Sequence, residues 1–267
     1  MNLMIHGVQL DCVWEDKEAN FAKVRALLAA APPPAGTLIV LPEMFATGFS
    51  CALTRTIEPV GGPTEIFLRE LAQSYQSCVV GGVVTPGSDG KGRNQALAIG
   101  PDGSPLARYT KIQPFSLGGE ADVHESGAAP LIFEWAGLKI APLICYDLRF
   151  PEIAREAVRA GAEVLIYIAA WPIKRQQHWI TLLQARAIEN LAYVIGMNRC
   201  GTEPQFTYSG RSLVVDPHGV IIADAGEQER VLRAEIDLQL MRDWRAQFPA
   251  LADAGISALP NQKTQSL

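Results

Sequence analysis

The amino-acid sequence predicts an α/β protein in which two mixed β-sheets lie face to face and helices cover their outer faces. Two observations lead to this class. Short apolar strands alternate with amphipathic helices, which is typical of parallel strands joined by helices. Three further pairs of strands are joined by tight turns, which is typical of antiparallel hairpins. Two facing sheets with helices outside satisfy both patterns.

The first part of the chain predicts three strands and two helices. Apolar runs predict strands over 3–10, 37–41 and 78–85. The second of these is continuous, as expected for a strand that is covered on both faces. Apolar residues at helical spacing predict helices over 19–30 and 64–75. The first helix ends before three consecutive prolines, which cannot continue it.

Hairpins are predicted over 94–110, 131–144 and 212–225. Their turns are Pro-Asp-Gly, Ala-Gly and Pro-His-Gly, residue types that favour the backbone angles of a tight turn. The two Pro-x-Gly turns suggest that the chain has similar halves, but this signal is too weak to predict a repeat.

Between the last two hairpins, helices and strands alternate again. Helical spacing predicts helices over 151–160 and 176–191, and apolar runs predict strands over 163–170 and 192–198. The alternation indicates that this part of the chain adds parallel strands to a sheet whose other strands come from the hairpins.

Length and composition fit one globular enzyme domain over 1–267, with a polar tail over 255–267. The chain is 48% hydrophobic and 19% charged, unlike a disordered protein. A net charge of −5 without a basic cluster argues against a nucleic-acid partner. The start of the chain lacks the pattern of a secretory signal. The longest apolar run, 164–171, is too short to cross a bilayer, so no membrane partner is expected.

The cysteines indicate a reducing compartment. There are five, an odd number, and they are widely scattered and contain no Cys-x-x-Cys pair. This pattern argues against a disulfide framework and against a zinc site. We therefore expect a cytoplasmic protein.

Three predicted strands end in residues that could do chemistry together. Glu43 follows the strand over 37–41, Lys111 follows the first hairpin, and Cys145 ends the apolar run LKIAPLI. Taken singly, each residue has an ordinary explanation. Glu43 could be a solvated acid in a loop, Lys111 a charge at a strand end, and Cys145 a small buried hydrophobic residue. If these strand ends share one rim of a sheet, a carboxylate, an ammonium group and a thiol meet there.

A cysteine nucleophile is ordinarily activated by a histidine, and the chain has four. His6 falls inside a predicted strand and His218 at a hairpin turn, so both are poor bases for Cys145. His124 or His178 could pair with the thiol, although no local signature of a papain-like protease surrounds it. A Cys-His hydrolase is therefore an open alternative.

The segments LPEMFATGF, YTKIQPF and LICYDLRFPE carry Glu43, Lys111 and Cys145. They resemble the three signature segments of the nitrilase superfamily, the carbon-nitrogen hydrolases. The resemblance extends over almost the whole chain and includes HWITLLQARAIENLAYVIGMNRCG. It implies a four-layer α-β-β-α sandwich, a small amide substrate, and no metal or organic cofactor.

The resemblance also implies a role for each residue. Glu43 takes the thiol proton of Cys145, and the thiolate attacks the carbonyl carbon of an amide. Lys111 and the backbone N–H of Tyr146 hold the resulting oxyanion. Glu43 then returns its proton to the departing ammonia and activates the water that hydrolyses the thioester.

A second family glutamate is matched by Glu120. The resemblance implies that Glu120 hydrogen-bonds Lys111 and helps to position the substrate amide. The neighbouring Glu125 is the alternative, although Glu120 has the better spacing to Gly127. A lysine between two carboxylates stays protonated, as an oxyanion donor requires.

Within the superfamily, CYDLRFPE and HWITLLQARAIEN are similar to the omega-amidases. The segment IAAWPIKRQQHW departs from the eukaryotic omega-amidases at Trp171-Pro172 and resembles a bacterial branch. This implies hydrolysis of 2-oxoglutaramate and related ω-amides of dicarboxylic acids. It also implies that Arg149 binds the far carboxylate of the substrate; an ion pair with Glu152 is the alternative. Phe115 and Tyr146 are expected to contact the substrate. Trp171 either lines the pocket or belongs to the core.

Two other functional classes are open. One is another amidase of the superfamily, acting on N-carbamoyl amines or on deaminated glutathione. The other is a non-catalytic binding protein, against which the presence of Glu43, Lys111 and Cys145 argues. The segment with Arg186 and Glu189 is expected to be structural. By analogy with the superfamily we expect a homodimer or a larger homo-oligomer.

Overall fold

The computed structural model describes residues 2–256, which form two six-stranded sheets, one two-stranded sheet and surrounding helices. The strands are β1 (Asn2–Gln9), β2 (Leu38–Val40), β3 (Cys78–Pro86), β4 (Gly92–Ile99), β5 (Pro105–Thr110), β6 (Phe133–Trp135), β7 (Leu138–Ile144), β8 (Val164–Ala169), β9 (Tyr193–Asn198), β10 (Cys200–Thr202), β11 (Thr207–Ser209), β12 (Leu213–Val215), β13 (Ile221–Asp224) and β14 (Arg230–Asp237). The helices are α1 (Lys17–Ala30), α2 (Leu53–Thr56), α3 (Pro63–Tyr75), α4 (Glu120–Val123), α5 (Pro151–Arg159), α6 (Gln176–Asn190), α7 (Leu238–Gln247) and α8 (Ala250–Asp253).

The two large sheets share one pattern of strand directions. The first has the order β14-β1-β2-β3-β4-β5, with β1, β2 and β3 parallel and the outer pairs antiparallel. The second has the order β6-β7-β8-β9-β12-β13, with β7, β8 and β9 parallel and the outer pairs antiparallel. The hairpins β4-β5 and β12-β13 therefore occupy equivalent positions, which fits the similar halves suggested by the two Pro-x-Gly turns.

Strand alternation divides the side chains of the first sheet between two cores. In β2, Ile39 belongs to a core shared with Phe21 of α1 and Phe67 of α3. Its neighbours Leu38 and Val40 belong to the core shared with the second sheet. Successive side chains of a strand point to opposite faces. The continuous apolar run therefore reflects a strand covered by helices on one face and by a sheet on the other.

Two glycines show how closely the layers approach each other. A Cβ atom at Gly7 of β1 would lie 1.9 Å from Met197 of β9, so the two sheets pack directly together there. A Cβ atom at Gly196 would lie 2.4 Å from Leu183 of α6. Because neighbouring residues of β9 point to opposite faces, α6 covers the outer face of the second sheet. The layers follow the order helix, sheet, sheet, helix, which confirms the predicted class.

The predicted helices and strands are all present, and their ends lie within two residues of the predicted positions. No element is predicted over 230–247, where the structure has β14 and α7. Leu232, Ala234 and Ile236 alternate with charged residues, and this spacing is the signal that would have predicted β14. The three-residue strands β10 and β11 are too short for periodicity to detect.

None of the helices within residues 2–256 has both the length and the apolar character needed to cross a membrane. The interpretation of 1–267 as a single domain stays a prediction. The predicted polar tail over 255–267 lies outside the described residues from residue 257 onward.

Candidate active site

The segments that carry Glu43, Lys111 and Cys145 meet at one rim of the two facing sheets. Glu43 lies three residues beyond β2, Lys111 directly follows β5, and Cys145 directly follows β7. Lys111 Nζ lies 2.8 Å from Oε1 of Glu43. The thiol is close enough to both side chains for their charges to change its pKa. The structure thus brings together the three residues that the sequence singles out.

Lys111 is buried between two carboxylates. Its Nζ donates hydrogen bonds to Glu43 at 2.8 Å and to Glu120 at 2.7 Å. Burial alone would lower the pKa of Lys111, but the carboxylates of Glu120 and Glu43 outweigh burial and hold the pKa well above its ordinary value. Lys111 is therefore a fixed ammonium group from which water is almost excluded.

Asn94 of β4 joins the two carboxylates. Its Nδ2 donates to one oxygen of Glu43 and to one oxygen of Glu120, both at 2.7 Å. Glu120 also accepts a hydrogen bond from the backbone N–H of Phe115 at 2.6 Å. Burial alone would raise the pKa of Glu120, but the charge of Lys111 and these donors lower it below its ordinary value. Glu120 is therefore held as a carboxylate.

The backbone fixes the other oxygen of Glu43. The N–H of Ala170, directly after β8, donates to Oε2 at 2.9 Å. Gly82 of β3 lets the segment after β2 lie against the sheet, because a Cβ atom there would be 2.3 Å from the backbone nitrogen of Met44. A side chain at position 82 would push Glu43 away from Lys111.

Cys145 lies at a sharp turn between β7 and a short 3₁₀ turn that leads into α5. Its φ angle is +44°, in the left-handed region that residues other than glycine rarely adopt. The side chain lines a pocket and is 7% exposed. Burial, followed by the charge of Glu43, raises the pKa of the thiol well above its ordinary value. The thiol is therefore protonated at rest and needs a base when it attacks.

Asp147 fastens the turn that begins with Cys145. Its Oδ2 accepts hydrogen bonds from the hydroxyl of Tyr109 at 2.7 Å and from the N–H of Ile144 at 2.9 Å. Its Oδ1 accepts one from the N–H of Gln113 at 2.9 Å. Burial raises the pKa of Asp147 to about 6, although these donors favour the charged form. One buried carboxylate thus ties the turn after β7 to the segment after β5.

A pocket of about 350 Å³ opens onto Cys145. Aromatic side chains supply about half of the lining residues, which are Phe49, Phe115, Cys145, Tyr146, Arg149, Ala170, Trp171, Pro172, Arg175 and Phe206. Arg149 and Arg175 are the charged side chains of this lining. The free space between these side chains is small, so it suits a small substrate. The expected substrate contacts Phe115, Tyr146 and Trp171 all line the pocket.

The guanidinium of Arg149 lies 4.8 Å from the ring centre of Trp171, and its Nη2 lies 3.1 Å from Nδ1 of His178. Among residues 2–256 it forms no ion pair with Glu152, the alternative that the sequence left open. Trp171 is 2% exposed and packs against Trp179, yet it also lines the pocket. It therefore combines the two roles that the sequence could not separate.

The histidines that were open as bases do not hydrogen-bond Cys145 in the described part of the chain. His178 contacts Arg149 instead. His124 is buried against Gly92 of β4, and neither of its ring nitrogens has a partner among the described residues. The charged groups around the thiol are carboxylates and an ammonium group. No contact among the described residues therefore supports the Cys-His alternative.

Glu125 does not contact Lys111. It accepts hydrogen bonds from the N–H and hydroxyl of Ser88 and forms an ion pair with Arg93, on the surface. Of the two glutamates that the sequence left open, the structure brings Glu120 to the lysine. Within residues 2–256, no three side chains of the metal-binding types are grouped so as to hold a metal ion.

Several parts of the site were not predicted, among them the side chains of Asn94 and Arg175 and the N–H of Ala170. Asn94 lies between Arg93 and Gln95 at the polar start of β4, so the sequence carries no signal that separates it from its neighbours. The signal for Arg175 was a basic residue directly before a predicted helix. A backbone N–H leaves no signal in a sequence. Arg186 has the structural role expected of it, since it donates to the carbonyl of Leu148 at 2.6 Å.

The chain is similar to known proteins in both sequence and structure. The family model described as carbon-nitrogen hydrolase matches residues 7–246. The 2-oxoglutaramate amidase of Bacillus subtilis is 34% identical over 95% of this chain and 98% of its own length. Omega-amidase YafV of Yersinia enterocolitica is 38% identical over 92% and 94%. A CN-hydrolase superfamily protein of Xanthomonas campestris, solved with an arsenic adduct in its active site, has a TM-score of 0.88 and 35% identity, covering 97% of this chain and 99% of its own.

Proposed function

Because the chain belongs to the carbon-nitrogen hydrolase family, we propose that it cleaves the ω-amide of a short dicarboxylic acid, such as 2-oxoglutaramate, to the acid and ammonia. One observation carries the choice of substrate: Cys145 and Arg149 line the same small pocket. A thiol at one end and a guanidinium in the same wall suit a molecule with an amide at one end and a carboxylate at the other. Both relatives described above are named for ω-amides.

Glu43 acts as the general base. The thiol of Cys145 gives its proton to the Glu43 carboxylate as the sulfur attacks the carbonyl carbon of the amide. Hydrogen bonds from Asn94, Lys111 and Ala170 hold both oxygens of Glu43, so the acceptor is positioned before the substrate arrives. Since the pKa of Cys145 is raised, this transfer accompanies attack and does not precede it.

The oxyanion that forms on the amide oxygen is held by Lys111 and by the backbone N–H of Tyr146. Lys111 is already charged and already fixed by two carboxylates, so little reorganisation is required when the oxyanion appears. When the tetrahedral intermediate collapses, the carbon–nitrogen bond breaks. Glu43 passes its proton to the departing nitrogen, ammonia leaves, and the acyl group remains on sulfur as a thioester.

Water completes the reaction. Glu43 takes a proton from a water molecule, which attacks the thioester carbon, and the oxyanion again forms beside Lys111. Collapse breaks the carbon–sulfur bond, and Glu43 returns the proton to the sulfur of Cys145. One amide and one water are consumed, one carboxylic acid and one ammonia are released, and the free thiol is restored.

The test is ammonia release from 2-oxoglutaramate, succinamate, glutamine and an N-carbamoyl amino acid under the same conditions. We expect fast release from the first two, slow release from glutamine, and none when Cys145→Ala replaces the wild type. Faster release from the N-carbamoyl amino acid would assign the chain to another amidase class. No release from any amide would favour a binding protein.

A second measurement isolates Arg149. If Arg149 binds the far carboxylate, Arg149→Ala should lower kcat/KM for succinamate by tens- to thousands-fold, the scale for truncating one member of a desolvated charged pair. Hydrolysis of butyramide, which has no carboxylate, should change little. Equal losses on both substrates would mean that Arg149 supports the turn after Cys145 instead.

We also propose that the chain works in the cytoplasm as a homodimer or larger homo-oligomer. All five cysteines are free thiols, which suits a reducing compartment. Ile188 on the outer helix α6 is more than half exposed, which suits association through that face. Light scattering should give at least twice the mass of one chain, and Ile188→Glu should lower it. A wild-type protein that stays monomeric at micromolar concentration would contradict this.

A further inference from the structure

Two arginines line the pocket, and neither has a carboxylate partner in the part of the chain that the structure describes. Arg149 stacks on Trp171, and its Nη2 lies 3.1 Å from Nδ1 of His178. The guanidinium of Arg175 lies 5.3 Å from the ring centre of Phe115. No ion pair within 4.0 Å involves either guanidinium among residues 2–256, and no acidic side chain is part of the pocket lining. Two cations therefore face a small cavity without an internal counter-charge.

Arg175 is held in this position by its own backbone. It ends the short 3₁₀ turn that leads into α6, and its carbonyl accepts a hydrogen bond from Nε1 of Trp171 at 2.7 Å. The same tryptophan ring carries the guanidinium of Arg149. Trp171 thus contacts both arginines, through the guanidinium of Arg149 and the backbone carbonyl of Arg175, and the ring of Phe115 contacts the guanidinium of Arg175.

The two guanidinium groups act on each other. Both guanidinium groups line one pocket, and burial, followed by the charge of Arg175, lowers the pKa of Arg149. Guanidinium groups offer only donors, so the lining calls for a ligand end made only of acceptors. A 2-oxo acid fits, because its carboxylate and its adjacent carbonyl oxygen are all acceptors. An α-amino acid does not, because its ammonium group would face two cations and find no carboxylate.

We propose that Arg175 determines specificity by donating to the 2-oxo oxygen of the substrate while Arg149 binds the adjacent carboxylate. The inference rests on the proposed ω-amide activity and names, within that class, the ω-amides of 2-oxo dicarboxylic acids as the preferred substrates. It explains why one pocket would hold two cations for a substrate with one free carboxylate. The proposal also explains why glutamine would be a poor substrate, because its ammonium group would be repelled by the two guanidinium groups.

The first experiment compares kcat/KM for 2-oxoglutaramate and for glutaramate, which has a methylene in the position of the 2-oxo group. The wild type should prefer 2-oxoglutaramate by roughly 10- to 100-fold, the scale for one hydrogen bond from a charged donor. Arg175→Gln should lose most of this preference through a higher KM, with kcat nearly unchanged. Arg175→Lys should keep part of it, because it retains the charge but not the planar fork.

Lys174→Gln is the matched control. It removes the same charge from the neighbouring residue, which is exposed and does not line the pocket. Its preference for 2-oxoglutaramate should equal that of the wild type. If Arg175→Gln lowers kcat/KM equally for both amides, or for neither, Arg175 does not recognise the 2-oxo group and the inference is wrong.

A binding experiment keeps this inference separate from the proposed activity. Protection of Cys145 from iodoacetamide should be stronger with 2-oxobutyrate than with butyrate in the wild type, and equal with both in Arg175→Gln. Equal protection in the wild type would overturn the role of Arg175 even if ω-amides are hydrolysed. A wild type that hydrolyses no ω-amide but still prefers 2-oxobutyrate would overturn the proposed substrate and leave the 2-oxo site standing.

Discussion

The hydroxyl of Tyr109 lies 2.7 Å from the carboxylate of Asp147 and donates a hydrogen bond to it. Tyr109 lies on β5, two residues before Lys111, and Asp147 lies two residues after Cys145. This bond therefore fixes the distance between the strand that ends in the ammonium group and the turn that begins with the thiol. Both side chains are buried, so the bond cannot be replaced by one to bulk water.

Tyr109→Phe tests this connection. The substitution leaves one acceptor site of a buried carboxylate without a donor, so we expect the protein to lose about 1–3 kcal/mol of unfolding free energy. The turn that carries Cys145 should also lose its position relative to Lys111, so kcat should fall. Urea unfolding and steady-state kinetics on 2-oxoglutaramate measure the two effects.

Tyr167→Phe is the control for that substitution. Tyr167 is equally buried, and its hydroxyl has no hydrogen-bond partner among the described residues. Removing this hydroxyl should leave stability unchanged or slightly improved and leave kcat unchanged. If the two phenylalanine variants behave alike, the bond between Tyr109 and Asp147 does not hold the site together.

The pKa of Asp147 predicts a pH dependence of stability. Burial raises this pKa to about 6 from an ordinary value of 3.8. Below about pH 4 the group is protonated in both the folded and the unfolded chain. Between about pH 4 and pH 6 the folded chain keeps a proton on Asp147 that the unfolded chain releases. Binding of this proton stabilises the folded chain, and this stabilisation is lost as the pH rises through about 6. Its size is on the order of 3 kcal/mol.

Asp147→Asn removes this titration and is the measurement that checks it. The unfolding free energy of the wild type should fall relative to that of Asp147→Asn as the pH rises from about 4 to about 7. The hydrogen bonds that the asparagine makes or loses do not depend on pH in this range. They therefore change the difference in unfolding free energy between the two proteins by a constant amount at every pH. A difference between the two proteins that stays constant with pH would mean that Asp147 titrates normally.

Glu43→Gln separates proton transfer from packing. The amide has the same shape and can keep the hydrogen bonds from Lys111 and Ala170, but it can neither accept the thiol proton nor return it. We expect kcat to fall by about 10²–10⁴, the usual contribution of a general base, in a protein that remains folded. Glu125→Gln makes the same exchange on the surface and should keep full activity. A folded Glu43→Gln enzyme with normal turnover would eliminate Glu43 as the base.

Alkylation should identify the nucleophile. Substoichiometric iodoacetamide should modify Cys145 first and abolish activity in proportion, because Glu43 can accept the proton of that thiol. Glu43→Gln should slow this modification, since burial otherwise keeps the pKa of Cys145 well above its ordinary value. Cys51 is the more exposed thiol, but burial raises its pKa to about 11, and among the described residues its sulfur hydrogen-bonds only the carbonyl of Gly118. Faster labelling of Cys51 with activity retained would show that the nucleophile is misassigned.

The sequence predicted much of this architecture because its signals are local. The hairpins over 94–110 and 212–225 are specified by their turn residues, and the helix over 176–191 by apolar spacing within a single segment. Glu43, Lys111 and Cys145 could be singled out because each follows a strand that is itself recognisable. The strand over 230–237 was missed, although its alternating side chains carry a signal of the same kind.

The choice among neighbouring residues required the tertiary structure. Glu120 and Glu125 are five residues apart and chemically alike, and only the fold brings one to Lys111 and the other to Arg93. The bond between Tyr109 and Asp147 joins residues 38 apart in the sequence, so neither side chain indicates its partner. The same holds for the backbone N–H of Ala170, which is 127 residues from the Glu43 oxygen that it contacts.

By itself, the sequence predicted the order of most helices and strands and singled out the thiol, the ammonium group and the acid. Those properties depend on turn residues, apolar periodicity and the chemistry of single side chains, all of which act over a few positions. Only the tertiary structure decided which glutamate supports the lysine, how Cys145 is presented, and that Arg149 and Arg175 share one pocket. Those properties depend on distances between segments far apart in the chain, and such distances are set by how the two sheets and their helices pack.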